Sequence, residues 1–262
     1  MRNPFVLNPT RLEMGRILAP VHEEVLKRVI RDIRAGGLVV LTGEPGVGKT
    51  TLLQRIEREL VRERNPCAVP VLVPCGALVK GEEDLMRMLL SGLYLDASGQ
   101  GMELYRKLRE LPKAGERVVA LLDDITAVPL SPRALGETVR MISDLPNFSV
   151  VLAGEPEPMQ RMLRLNRPLA TRVLSKQKLG RAKLEEVKLM LQRRAELVSL
   201  KVSPRAAALL WRAGKGIPRE VLKLAMQAFE RTQERRVSFE RAVEEITRRR
   251  RSKRKWHLRE RR

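Results

Sequence analysis

Between an apolar run, Leu38-Val-Val-Leu41, and a helically spaced segment, Thr51–Leu60, the chain reads Gly43-Glu44-Pro45-Gly46-Val47-Gly48-Lys49-Thr50. Glycines at these intervals let backbone N–H groups turn inward and form a nest for phosphate oxygens. A helix starting at the loop's end adds the positive pole of its dipole. The spacing Gly43-x4-Gly48-Lys49-Thr50 is a complete Walker A pattern. In that pattern the lysine reaches the β- and γ-phosphates and the hydroxyl ligates Mg²⁺. The chemistry predicted is the binding of ATP with Mg²⁺ along residues 43–50 and Thr51. A plain glycine-rich turn is the simpler alternative, but it leaves the strand before and the helix after without a reason.

A second constellation lies downstream. Val118-Val-Ala-Leu-Leu-Asp123-Asp124 is an apolar run ended by two carboxylates, the form of a Walker B strand. Asp123 is placed to hold the Mg²⁺ shell, and Asp124 to polarise an attacking water as general base. The plainer reading is an acidic turn closing a strand.

The elements that must carry these groups alternate. Strands are expected at 38–41, 68–73, 118–122 and 149–152, with helices at 51–60, 82–95, 102–111 and 132–144. Continuous apolar strands alternating with helices predict a parallel sheet between helical layers. After residue 180 the pattern is helical only, over 183–198, 203–213, 218–232 and 238–250. The expected fold is therefore α/β: a three-layer P-loop core over residues 1–180, a small all-α lid over 181–247, and a basic tail at 248–262. The tail is expected to extend into solvent or to order on a ligand.

Charge narrows the partners. The 262 residues carry 52 Lys+Arg against 31 Asp+Glu, a net +21, with a pI near 11.0. The last fifteen residues, RRRRSKRKWHLRERR, hold ten basic side chains and one acidic, so +9 of the excess lies there and the body is basic too. Such a surface attracts nucleic acid by counterion release; an acidic protein or membrane surface remains the alternative. No apolar run of about 18 residues occurs, so no membrane-spanning helix is expected. Cys67 and Cys75 are too few for a disulfide framework and are expected to be reduced, which fits the cytoplasm.

With these motifs in place, the chain resembles AAA+ ATPases. It is most similar to the branch of ExeA-type ATPases, transposition regulators of the TnsC and MuB kind, and origin-recognition initiators. Four further stretches carry the likeness: Asn3-Pro-Phe5 with the helix His22–Ile33, Val150–Glu157, Pro168-Leu-Ala-Thr-Arg172-Val, and Gly216-Ile-Pro-Arg219-Glu. The resemblance implies that Arg172 is an arginine finger touching the γ-phosphate held by a neighbouring protomer, and that Arg219 is the lid arginine sensing nucleotide state. Otherwise Arg172 is one more surface arginine in an arginine-rich chain, and Arg219 an ordinary first-turn helix residue. It also implies homo-oligomerisation and ATP-dependent assembly on DNA, in transposition, replication initiation or mobile-element handling. The alternative is a signalling or assembly ATPase that docks a protein or membrane partner through its tail. Two positions depart from the pattern: Asp124 stands where the family usually has glutamate, and Glu155 stands where a neutral polar residue is usual. Both predict slow hydrolysis, with ATP serving mainly as an assembly switch.

Overall fold

The computed structural model describes residues 3–6, 22–62, 68–111 and 117–259, leaving Cys67 and residues 260–262 outside the description. The chain divides into two units: residues 23–45 with 49–179, and residues 1–22, 46–48 and 180–262.

The first unit is α/β. Helix α1 (Glu23–Ala35) leads into β1 (Leu38–Gly43), then α2 (Lys49–Arg62), β2 (Ala68–Pro74), α3 (Cys75–Leu78), α4 (Glu82–Gly92) and α5 (Met102–Arg109). β3 (Arg117–Asp123), a 3-10 turn (Ile125–Ala127), α6 (Pro132–Ser143), β4 (Phe148–Gly154), α7 (Pro156–Leu165), α8 (Arg167–Thr171) and β5 (Val173–Leu179) follow. The five strands are parallel, in the order β2-β3-β4-β1-β5. Every residue of β4 is buried, and β3 is buried from Val118 onward. Apolar runs of this kind belong to strands covered on both faces. The expected α/β class with a parallel sheet and C-terminal helices holds.

The fifth strand was not foreseen. β5 reads Val-Leu-Ser-Lys-Gln-Lys-Leu, with Leu174, Lys176 and Lys178 exposed. It sits at the sheet edge against β1, where one face meets water and lysines discourage further pairing. Its alternation hides it from a search for apolar runs. Helices α7 and α8 also lay outside the expected elements. They place Arg172 at the junction between α8 and β5.

The second unit is helical: α9 (Leu184–Glu196), α10 (Pro204–Ala213), α11 (Pro218–Arg235) and α12 (Phe239–Arg259). Prolines open α10 and α11, where the missing N–H is harmless, and the Ser203 hydroxyl accepts from Ala206 N at the start of α10. Residues 3–6, expected with the nucleotide-binding core, pack here instead. Phe5 is fully buried, stacked on Phe239 at 5.5 Å and edge-on to Phe229 at 6.3 Å. Asn3 Nδ2 donates to Met226 O, and Arg194 donates to Val6 O at 2.7 Å. Burying the Phe5 ring is what draws the segment to this unit.

The last helix runs further than the 238–250 expected. The backbone of α12 is one helix through Arg259. Arginine and lysine are good helix formers, and Phe239, Ala242, Val243 and Ile246 anchor the helix in the core of the unit. Arg250 adds an ion pair with Glu220 at 2.9 Å. Among the described residues no helix is long and apolar enough to cross a membrane.

Candidate functional site

β1 ends at Gly43 and α2 begins at Lys49, so the glycine loop joins the carboxyl end of a central strand to a helix N-terminus. That end of an open α/β sheet is where ligands bind. Lys49 Nζ donates to Gly43 O at 2.7 Å and Glu44 O at 3.3 Å, folding the ammonium over the loop. Gly46 and Gly48 have φ of 83° and 109°, a region costly for other residues. A Cβ built on Gly48 would meet no atom within 4 Å, so that side of the loop is open. The first turn of α2 holds no acidic residue; with Lys49, Thr50 and Thr51 there, it favours an anion.

β3 delivers the carboxylates. Thr50 Oγ1 donates to Asp123 Oδ2 at 2.7 Å, bringing together the two motifs that sequence alone had named separately. Asp123 is 8% exposed. Burial pushes its carboxyl above the usual carboxylate range; the Thr50 bond opposes this, the Asp124 charge adds to it, and Lys49 opposes it again. A desolvated carboxylate beside a hydroxyl suits a divalent cation, which would relieve the burial cost. Among the described residues no cluster of three or more His, Cys, Asp or Glu could hold a metal unaided. Mg²⁺ commonly binds through one or two protein oxygens with phosphates and water, and Thr50 with Asp123 fit that form.

Asp124 is exposed and left-handed, at φ 51° and ψ 38°, a conformation that short Asx side chains tolerate. Its carboxylate leans over Gly76, where a Cβ would stand 2.9 Å from Asp124 Oδ2. Beneath, the Cys75 thiol is pushed up to about 12, by burial first and by Asp123 next. It is a filler of the site floor.

The loop tip, residues 46–48, belongs to the helical unit. Arg219 N, one of the unpaired donors of the α11 N-terminus, donates to Gly46 O at 3.2 Å, as a helix start requires. His22, expected as the first residue of a helix, instead precedes α1 with φ 61°. Its Nε2 lies 3.1 Å from Val47 O, a bond in which the imidazole donates, and its backbone N–H donates to Glu186. A Cβ on Gly46 would stand 2.9 Å from Arg219 Cβ and 3.3 Å from Ile217 Cγ2. Gly46→Ala therefore faces both a clash and a left-handed backbone, costing about 1–2 kcal/mol. We expect roughly tenfold weaker ATP binding, measured by calorimetric titration, with the fold retained; unchanged affinity would contradict it.

Two predicted residues stand apart. Arg172 pairs with Asp144 and donates to Pro168 O; no Walker residue is among those partners. Glu155 caps α7, exposed, with its N–H donated to Thr126 Oγ1 at 3.1 Å. Thr126 also covers Gly154, where a Cβ would lie 2.8 Å from that hydroxyl. So a neutral hydroxyl, not foreseen from sequence, sits at the carboxyl end of β4. Thr126, Gly76, His22 and Asp144 were all missed. His22 was legible only as the start of the expected helix 22–33, and the other three carried no signal of a place in the site.

A parallel sheet in this order, with a glycine loop closing β1 and paired aspartates closing β3, defines a P-loop nucleotide-binding fold. The AAA domain model matches residues 31–163, and the chain belongs to that family. General secretion pathway protein A of Aeromonas hydrophila is 30% identical over 239 residues, 82% of this chain and 40% of that protein. The Holliday junction branch migration complex subunit RuvB of Acholeplasma laidlawii is 27% identical over 183 residues, 69% of this chain and 49% of that protein. The chain thus spans less than half the length of either relative. The ORC2 protein of Aeropyrum pernix, solved as ADPNP-ADP complexes, superposes with a TM-score of 0.70 over 94% of this chain and 71% of that one. At 17% identity this is a likeness of fold.

Proposed function

We propose that the chain is an ATP-dependent AAA+ ATPase that assembles on DNA in its ATP state and acts there as a regulator or loader. The observation that carries the nucleotide reading is the Thr50–Asp123 bond, which joins hydroxyl and carboxylate at the foot of the glycine loop. Backbone N–H groups of residues 43–51 would hold the phosphates, and Lys49 would exchange its loop carbonyls for phosphate oxygens. Bound Mg²⁺ would supply positive charge against the phosphates, held by Thr50 and Asp123. Asp124 would orient the attacking water, Arg172 would reach the nucleotide of a neighbouring protomer, and Arg219, beside the loop tip, would report nucleotide state to the helices.

Asp124 has a shorter reach than glutamate, and small misplacements of a catalytic group cost much of the rate. Asp124→Glu is accordingly expected to raise steady-state ATP turnover by roughly tenfold, despite a slight loss of stability from the left-handed backbone. Equal or slower turnover in a phosphate-release assay would argue against this role.

The DNA reading rests on charge: +21 overall and +9 in residues 248–262. Removing those residues is expected to weaken DNA binding and to flatten the plot of log affinity against log salt by on the order of five. An unchanged slope in fluorescence anisotropy would remove the tail from the interface. The likeness to the secretion protein favours a second reading, an ATPase docking an acidic protein or membrane partner through the same helix. DNA affinity indifferent to nucleotide, with a shallow salt slope, would favour that reading.

A further inference from the structure

Arg172 is held in a bracket of charge on its own protomer. Its Nε and Nη2 face the two carboxylate oxygens of Asp144, Nη2 to Oδ2 at 3.0 Å, and Nη1 donates to Pro168 O at 2.6 Å. Asp144 is the C-cap of α6, at the negative pole of a helix, where an anion needs cationic company. It has a second cation. Arg140, one turn earlier, donates Nη1 to Asp144 Oδ2 at 2.8 Å and Nε to both oxygens of Glu137, at 3.0 and 3.1 Å. Asn166 Nδ2 reaches Glu137 as well, at 3.4 Å. The cluster is thus two carboxylates and two guanidiniums.

Such an arrangement is suited to release. A forked arginine–carboxylate pair fixes direction well, yet the Arg172 and Asp144 side chains are 35% and 31% exposed, so water screens the pair. If Arg172 departs, Asp144 still keeps Arg140, and no buried charge is orphaned. A triphosphate offers the same fork more negative charge.

We propose that Asp144 stows Arg172 in the free protomer and competes for it with the nucleotide of a second copy of this chain. This rests on the reading of Arg172 as the residue that reaches a neighbour's nucleotide. Stowing raises the protein concentration at which ATP drives assembly; the exchange of Asp144 for phosphate makes that assembly nucleotide-dependent.

The test is sedimentation velocity across a protein concentration series, with a fixed amount of duplex DNA, Mg²⁺ and a non-hydrolysable ATP analogue. Asp144→Asn is isosteric and keeps an acceptor but loses the charge, so assembly is expected at about tenfold lower concentration. Asp144→Ser, which keeps a polar helix end, should shift it the same way, and Asp144→Glu should restore the wild-type threshold. A threshold unchanged or raised in folded Asp144→Asn and Asp144→Ser overturns the proposal. Arg172→Ala separates this from its premise: it should assemble poorly whatever occupies position 144. If Arg172→Ala assembles like the wild type, the premise itself fails.

Discussion

Lys49→Ala should bind ATP about ten- to a hundred-fold more weakly than the parent and hydrolyse it more slowly by on the order of a hundredfold. The affinity loss follows from the worth of a hydrogen bond to a charged group, about 1.5–3 kcal/mol, at 1.4 kcal/mol for each tenfold. The larger loss in rate follows because charge grows on the transferring oxygens, so the ammonium matters more there than in the ground state. The variant should still fold, since Lys49 is only partly buried and contributes no apolar packing to the core. Its ammonium donates to Glu44 O on the exposed loop and to Gly43 O at the end of β1. Equilibrium binding of a fluorescent ATP analogue measures the first effect and phosphate release the second. Parental values for both would remove the loop from the chemistry.

Arg172→Ala should leave ATP affinity of the single protomer near the parental value but lower the turnover of the assembled protein by on the order of a thousandfold. The separation of the two effects is the signature, because Arg172 has Asp144 and Pro168 O as partners on its own chain. Arg172→Lys should recover little, since an ammonium cannot donate the paired bonds of the guanidinium fork. Mixing tests the geometry directly. Lys49→Ala and Arg172→Ala protomers together can form a composite site with an intact Lys49 and an intact Arg172, and should regain part of the turnover. Absence of any recovery would place Arg172 in cis or outside the site.

Sequence was most legible where a function is written in a short stretch. The loop 43–50, with a strand before and a helix after, declares its geometry locally, and the apolar runs of β1, β3 and β4 declare burial on both faces. β5 escaped because an edge strand shows one wet face, with Lys176 and Lys178 on it. Thr126 escaped because its place over Gly154 depends on the 3-10 turn after β3 and the end of β4 meeting in space. His22 and Asp144 escaped in the same way: their partners, Val47 and Arg172, are 25 and 28 residues distant. The helical continuation of the tail was not legible for another reason. Its charge carries no apolar periodicity to mark a helix, yet arginine and lysine propagate one already anchored by Phe239 and Val243.

The most direct test is electron microscopy of the full chain with duplex DNA, with and without Mg²⁺ and a non-hydrolysable ATP analogue. Rings or filaments on the DNA only when nucleotide and DNA are both present are the expected result. Assemblies that form equally well without nucleotide, or none with both ligands at saturating concentration, would contradict an ATP-gated protein that works on DNA.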